Sequence, residues 1–254
     1  MQTLDYTNKV VMITGAGGGM GKLAAENFAE AGAKLAISDI NQENIEAVAA
    51  DLRDKGCDVY CAVCDVADES QVKMFIDNTI SAFGQLDVAI NNAGIIQPMS
   101  HTHLLDLSAL DQQYNINIKG VFACMKHQIT FMKEKNKGVI LNLSSVAGIS
   151  GAPNLSAYAA AKHAVTGMTR SAAVEYGRYG IRVNAICPSY VDSPMMDSVE
   201  DETPITKEKL AATNPMKRLA TMQEIVNGML WLCSDYNSYM NGQAVAFDGG
   251  MTAF

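Results

Sequence analysis

Short, continuous apolar runs alternate along this chain with longer segments whose apolar residues recur every three or four positions. The runs at 9–14, 34–38, 58–64, 86–90, 137–143, 181–187 and 243–247 are rich in β-branched residues and lack polar alternation. That is the pattern of strands buried on both faces. The segments at 19–31, 41–55, 68–83, 108–135, 156–178 and 222–234 carry helical spacing. Strict strand–helix alternation predicts an α/β fold, a doubly wound seven-stranded parallel sheet with helices on both faces, in one domain over 1–254. Only 188–221 lacks a clear period, and it contains the acidic stretch DSVEDE. So long a patternless stretch in a compact domain predicts a lid over a site.

A length of 254 residues suits one such domain and buries a substantial core. The net charge of −8 argues against nucleic-acid partners and anionic membrane surfaces. No apolar run approaches the ~18 residues of a membrane helix, and MQTLDYTNKV is not a secretory leader. Together with six scattered cysteines, this predicts a reducing, cytoplasmic setting. Cys61 and Cys64 stand three apart at the end of a strand, so they should face opposite sides of the sheet. No second cysteine pair or nearby histidine completes a zinc set, and His101-x-His103 falls in a loop, so no metal site is expected.

The chemistry begins after the first strand. There Gly15-Ala16-Gly17-Gly18-Gly19-Met20-Gly21 leads into the helical segment KLAAENFAEAG. Strand, glycine turn and helix together form a pyrophosphate cradle, because the backbone can approach closely and the helix start presents free N–H groups. Asp39 ends the second strand, about 20 residues beyond the last glycine, where a carboxylate accepts bonds from the adenosine ribose hydroxyls. It would repel a 2′-phosphate, and neither Gly18 nor Ile40 offers a cation to attract one, so NAD is expected rather than NADP. Further along, Tyr158 and Lys162 are four apart on a helix and share a face. A phenol has a pKa near 10, and a neighbouring ammonium favours its ionised form. Ser145 closes the run GVILNLSS, at the end of a strand. Singly, each has a plainer meaning: a backbone-bonded hydroxyl, a half-buried aromatic and a solvated charge.

Taken together, these residues strongly resemble the short-chain dehydrogenase/reductase family over essentially the whole chain. The glycine motif T-G-x-x-x-G-x-G, Asn91-Asn92-Ala93-Gly94, Asn117 in NIKGVF, Ser145, the Y-x-x-x-K of Tyr158 and Lys162, and the ending DGGMTAF occur in family order. The resemblance implies NAD-dependent interconversion of a secondary alcohol and a ketone, with Asn117, Ser145, Tyr158 and Lys162 as the catalytic set. Tyr158 is the implied acid/base, Ser145 holds the substrate oxygen, Lys162 also binds the nicotinamide ribose, and Asn117 positions a relay water. Implied cofactor contacts are Gly15, Gly18, Gly19, Met20, Gly21, Asp39, Asp65, Val66, Asn91, Ala93, Gly94, Tyr158, Lys162, Pro188, Val191 and Ser193. Ser189 stands where the family often has glycine, which alters the loop beside the nicotinamide. Ile95, Ile96, Met99, Pro153, Leu155, Met195 and Met196 would make an apolar wall, suited to a cyclic, aryl or steroid-like substrate held beside Ser145 and Tyr158. The alternatives are a reductase of 3-oxoacyl thioesters on an acyl carrier protein or CoA, and a non-catalytic NAD-binding module. The family also implies a homotetramer or dimer, and helices 108–135 and 156–178 are the candidate contact face.

Overall fold

The structure, a computed structural model, describes residues 4–197 and 206–253. Its strands are β1 (Val10–Thr14), β2 (Lys34–Asp39), β3 (Val59–Val63), β4 (Val88–Asn91), β5 (Gly138–Leu143), β6 (Ile181–Pro188), the two-residue β7 (Val191–Asp192) and β8 (Ala220–Thr221), and β9 (Ala244–Phe247). Its helices are α1 (Gly19–Glu30), α2 (Gln42–Asp54), α3 (Glu69–Phe83), α4 (Leu107–Gln113), α5 (Val121–Lys135), α6 (Ser156–Tyr176), α7 (Lys207–Thr213) and α8 (Met222–Cys233). Seven strands form one parallel sheet in the order β3-β2-β1-β4-β5-β6-β9. Each predicted strand of that sheet, and each predicted helix except 108–135, is present to within two residues.

The strand runs are apolar throughout because both faces are covered. One core lies between the sheet and α1, α2 and α8, around Ile13, Phe28, Leu35, Ile37 and Val226. The other lies beneath α3, α5 and α6, around Met12, Phe75, Ala89, Met132 and Ile140. Cys61 packs against the first core and Cys64 lies within the second, as the strand alternation predicts.

Strand order reverses between β1 and β4, and the chain leaves both strands at their carboxyl ends there. Such a crevice is where ligands bind in open α/β sheets. The amide of Asn92 knits the two ends together, donating to the carbonyls of Thr14 at 3.0 Å and Gly15 at 2.9 Å. Thr14 Oγ1 in turn accepts from the backbone N–H groups of Asn92 and Ala93, both at 3.2 Å.

Two expectations need correction. The helix predicted over 108–135 is interrupted: α4 passes into a π-helical segment, Tyr114–Gly120, before α5 begins. One extra residue per turn bulges the backbone, and Asn117 sits at the centre of the bulge. The stretch 188–221 is also more ordered than a loop. It contains β7, β8 and α7, and Thr206 caps α7 by accepting from the N–H of Lys209. Residues 198–205 of this expected lid, with most of the acidic stretch, lie outside the described residues. No helix among the described residues is long and apolar enough to cross a membrane.

Candidate active site

A groove of about 430 Å³ opens over the glycine turn. Its floor is Gly15, Gly17–Gly19, Met20 and Gly21; its walls are Asp39, Cys64, Asp65, Val66, Ala93, Gly94, Ile95, Ser193 and Met195. Gly15 and Gly19 adopt φ of +66° and +52°, a left-handed region that favours glycine. A Cβ on Gly18 or Gly19 would meet nothing, so open space lies above them. A Cβ on Gly21 would fall 2.0 Å from the carbonyl oxygen of Gly15, so only glycine lets α1 pack this closely on the turn. Gly18, which immediately precedes α1, has no side chain to cap it, which leaves the first-turn N–H groups for a ligand. The carboxylate of Asp39 folds over the turn, accepting from Gly17 N–H and Asn41 N–H, each at 2.9 Å. A free helix start, an open glycine floor and a carboxylate at the far end fit a dinucleotide.

Some predicted contacts lie elsewhere. Asn91 turns into the core, where its amide donates to Asn142 Oδ1 at 2.8 Å and accepts from Gln128 at 2.8 Å. Successive strand residues face opposite ways, so Asn92 lines the groove and Asn91 does not. Pro188 and Val191 are buried and do not line the groove, which leaves the contact expected from the Val191 backbone unaffected. Met195, expected beside the substrate, lines the dinucleotide groove, whereas Ile96, Pro153 and Met196 do not.

The catalytic candidates converge at the ends of β5 and β6 and the start of α6. The Nζ of Lys162 lies 5.5 Å from the centre of the Tyr158 ring and donates to the carbonyl of Leu143 at 2.7 Å. Ser145 Oγ accepts from Ala147 N–H at 3.1 Å and lies 3.5 Å from Pro188 O. Asn117 is fully buried; its amide pairs with the backbone of Ile95, accepting from N–H at 3.0 Å and donating to C=O at 2.7 Å. A Cβ on Gly94 would come within 2.9 Å of Asn117 Oδ1 and 3.7 Å of Lys162 Nζ, so the missing side chain lets these two groups approach one point.

Burial dominates the acidities. It pushes the Tyr158 phenol up to about 12, against a smaller downward pull from its bond with Ser145. It draws Lys162 down to about 8. The expected lowering of the phenol by the ammonium is absent from the free chain, where loss of water raises the phenol and lowers the amine.

Two further residues act here. Leu155, which precedes α6, supplies no side-chain cap; Gln97 does so from across the site, accepting from Tyr158 N–H at 2.7 Å. Gln113 accepts from the amide of Asn117. Neither has a local sequence signature, because each works through a fold-dependent partner.

Residues 15–252 match the family described as Enoyl-(Acyl carrier protein) reductase. Levodione reductase of Leifsonia aquatica is 40% identical over 258 residues, covering 99% of this chain and 97% of the relative. The 2,5-dichloro-2,5-cyclohexadiene-1,4-diol dehydrogenase of Sphingobium indicum is 40% identical over 250 residues, covering 98% and 99%. The crystal structure of levodione reductase superposes with a TM-score of 0.94 at 40% identity, covering 98% of this chain and 99% of the other. With a dinucleotide-shaped groove beside an ordered Ser145–Tyr158–Lys162 cluster, this chain is an oxidoreductase acting on CH–OH groups and belongs to the short-chain dehydrogenase/reductase family.

Proposed function

We propose that the protein interconverts a secondary alcohol and a ketone using NAD(H), with a ring-bearing, fairly apolar substrate. The observation that carries this reading is the bond from Lys162, which lies against the Tyr158 ring, to the carbonyl of Leu143, a residue of the glycine-floored groove. Gly15 to Gly21 would hold the pyrophosphate, Asp39 the adenosine ribose, and Asp65 and Val66 the adenine. The nicotinamide, when bound, accepts or supplies the hydride. Ser145 holds the substrate oxygen, and Tyr158 takes its proton in oxidation and returns it in reduction. The enclosed ammonium of Lys162 steadies negative charge on the phenol oxygen. Asp39, with exposed Ile40 beside it and no cation there, supports NAD over NADP. The cyclohexadiene-diol in the name of one relative supports a ring-bearing substrate. All six cysteines are free thiols, which supports a reducing, cytoplasmic setting.

A second copy of the chain is the proposed occupant of an apolar groove of about 790 Å³ between α5 and α6, lined by Phe122, Met168, Tyr176 and Tyr179. Phe122 is 58% exposed in the single chain. Light scattering should give a dimer or tetramer, and Phe122→Glu should lower the mass; a monomeric wild type refutes this assembly.

The activity test is a panel of cyclic and linear secondary alcohols and ketones, with acetoacetyl-CoA as the thioester probe, offered with NAD(H) and NADP(H). Reduced-nicotinamide absorbance should change most with cyclic substrates and NAD(H). A clear preference for acetoacetyl-CoA or NADPH would refute the corresponding half of the proposal.

A further inference from the structure

Gln113 ends α4, one position before the π-helical segment that carries Asn117. Its side chain is 1% exposed. Its Oε1 accepts from Asn117 Nδ2, yet its Nε2 is buried with no hydrogen-bond partner among the described residues. A buried amide donor without a partner opposes folding. Leucine has nearly the same size and would remove that cost, so packing alone does not account for glutamine here.

The partner accounts for it. Asn117 offers two amide protons and one carbonyl oxygen. The oxygen accepts from Ile95 N–H, one proton goes to Ile95 C=O, and the other goes to Gln113. Ile95 follows Gly94, the residue over which Asn117 and Lys162 approach each other. Without Gln113, one Asn117 proton is unpaired in a buried site, and a single neighbour restrains the amide. In a π turn wider i→i+5 bonds replace the α-helical ones, which sets Asn117 at the centre of the bulge.

We infer that Gln113 is a positioning residue for the reaction proposed above, because it locks Asn117 and the π turn beside Lys162. The inference rests on the dehydrogenase reading, and the experiment separates the two.

The full-length wild type, Gln113→Leu and Gln113→Glu are compared with cyclohexanol and NAD as probe. Gln113→Leu removes one unpaired buried donor but leaves an Asn117 proton without its acceptor, so its melting temperature should stay within about 3 °C of wild type. Its kcat should fall about 10- to 100-fold, as expected for a slightly misplaced catalytic group. KM for cyclohexanol and NADH affinity by fluorescence titration should stay within about twofold, because the binding surfaces are untouched. Gln113→Glu keeps an oxygen for Asn117 and should retain more kcat than Gln113→Leu. An active wild type with a Gln113→Leu variant of equal kcat overturns the role of Gln113. So does a Leu variant that melts far below wild type or fails to fold, since that assigns the residue to packing. A wild type inactive on the whole alcohol and ketone panel overturns the dehydrogenase reading, and the positioning role falls with it.

Discussion

Lys162 lies over the face of the Tyr158 ring, 5.5 Å from its centre, while its hydrogen bond goes to the carbonyl of Leu143 instead of the phenol. The cation is thus held by the end of β5, and the aromatic ring rests against it. The separation leaves the phenol oxygen available to a substrate and keeps positive charge beside it. The same geometry puts an ammonium in a poorly hydrated place, which has consequences for both activity and stability.

Tyr158→Phe deletes the hydroxyl and leaves the ring packed against Lys162. Turnover should fall by about 10²- to 10⁴-fold, the usual contribution of a positioned acid/base. NADH affinity, measured by fluorescence titration, should be unchanged. Near-normal turnover in this variant would remove Tyr158 from the mechanism.

Lys162→Met should lose activity yet melt higher than wild type at pH 7. The unfolded chain keeps the lysine proton up to about 10.5, and the folded chain releases it near 8. Below pH 8 the wild type therefore carries the full burden of burying an ammonium, about 3 kcal/mol for a shift of this size. Losing the bond to Leu143 O offsets about 1 kcal/mol of the gain. Wild-type stability should rise with pH between about 8 and 10.5, and the advantage of the variant should fade across that window. Thermal melts from pH 6 to 10 test this, and a variant less stable than wild type at pH 7 contradicts it.

Asp39→Ser combined with Ile40→Arg exchanges a carboxylate for a hydroxyl and places a guanidinium on an exposed neighbour. A charge-assisted bond to a 2′-phosphate should move the NADP-to-NAD ratio of kcat/KM by about 10- to 100-fold toward NADP. Steady-state kinetics with both cofactors measure it; an unchanged ratio means that the ribose does not lie at Asp39.

Gly18→Ala and Gly21→Ala, three residues apart, should behave oppositely. At Gly18 the backbone is extended and a Cβ meets no atom, so melting should be unchanged while dinucleotide affinity drops. At Gly21 a Cβ would lie 2.0 Å from Gly15 O and 2.6 Å from Asn92 Nδ2, so folding should lose at least about 2 kcal/mol. Calorimetry and NADH titration separate the two effects, and a stable Gly21→Ala protein would refute the packing described here.

The alternating runs, the glycine turn and the Tyr158–Lys162 spacing are local patterns, and periodicity alone carries them from sequence to element. The seven strands and the approach of Lys162 to the Tyr158 ring were legible for that reason. Other features depended on partners distant in the chain. The inward turn of Asn91 follows from which strand face meets the core, and a run apolar on both sides leaves that choice open. The helix α7 is only two turns long, too short for a clear period. It is held by Thr206 at its start and by Asn214, whose amide donates to Asp248 O at 2.8 Å from the far end of the chain. Gln97 reaches Tyr158 across 61 residues, and Gln113 matters only because a π bulge turns Asn117 toward it. The balance of acidity at Tyr158 and Lys162 was likewise decided in three dimensions: spacing sets which charges are neighbours, but burial sets how much water each one loses.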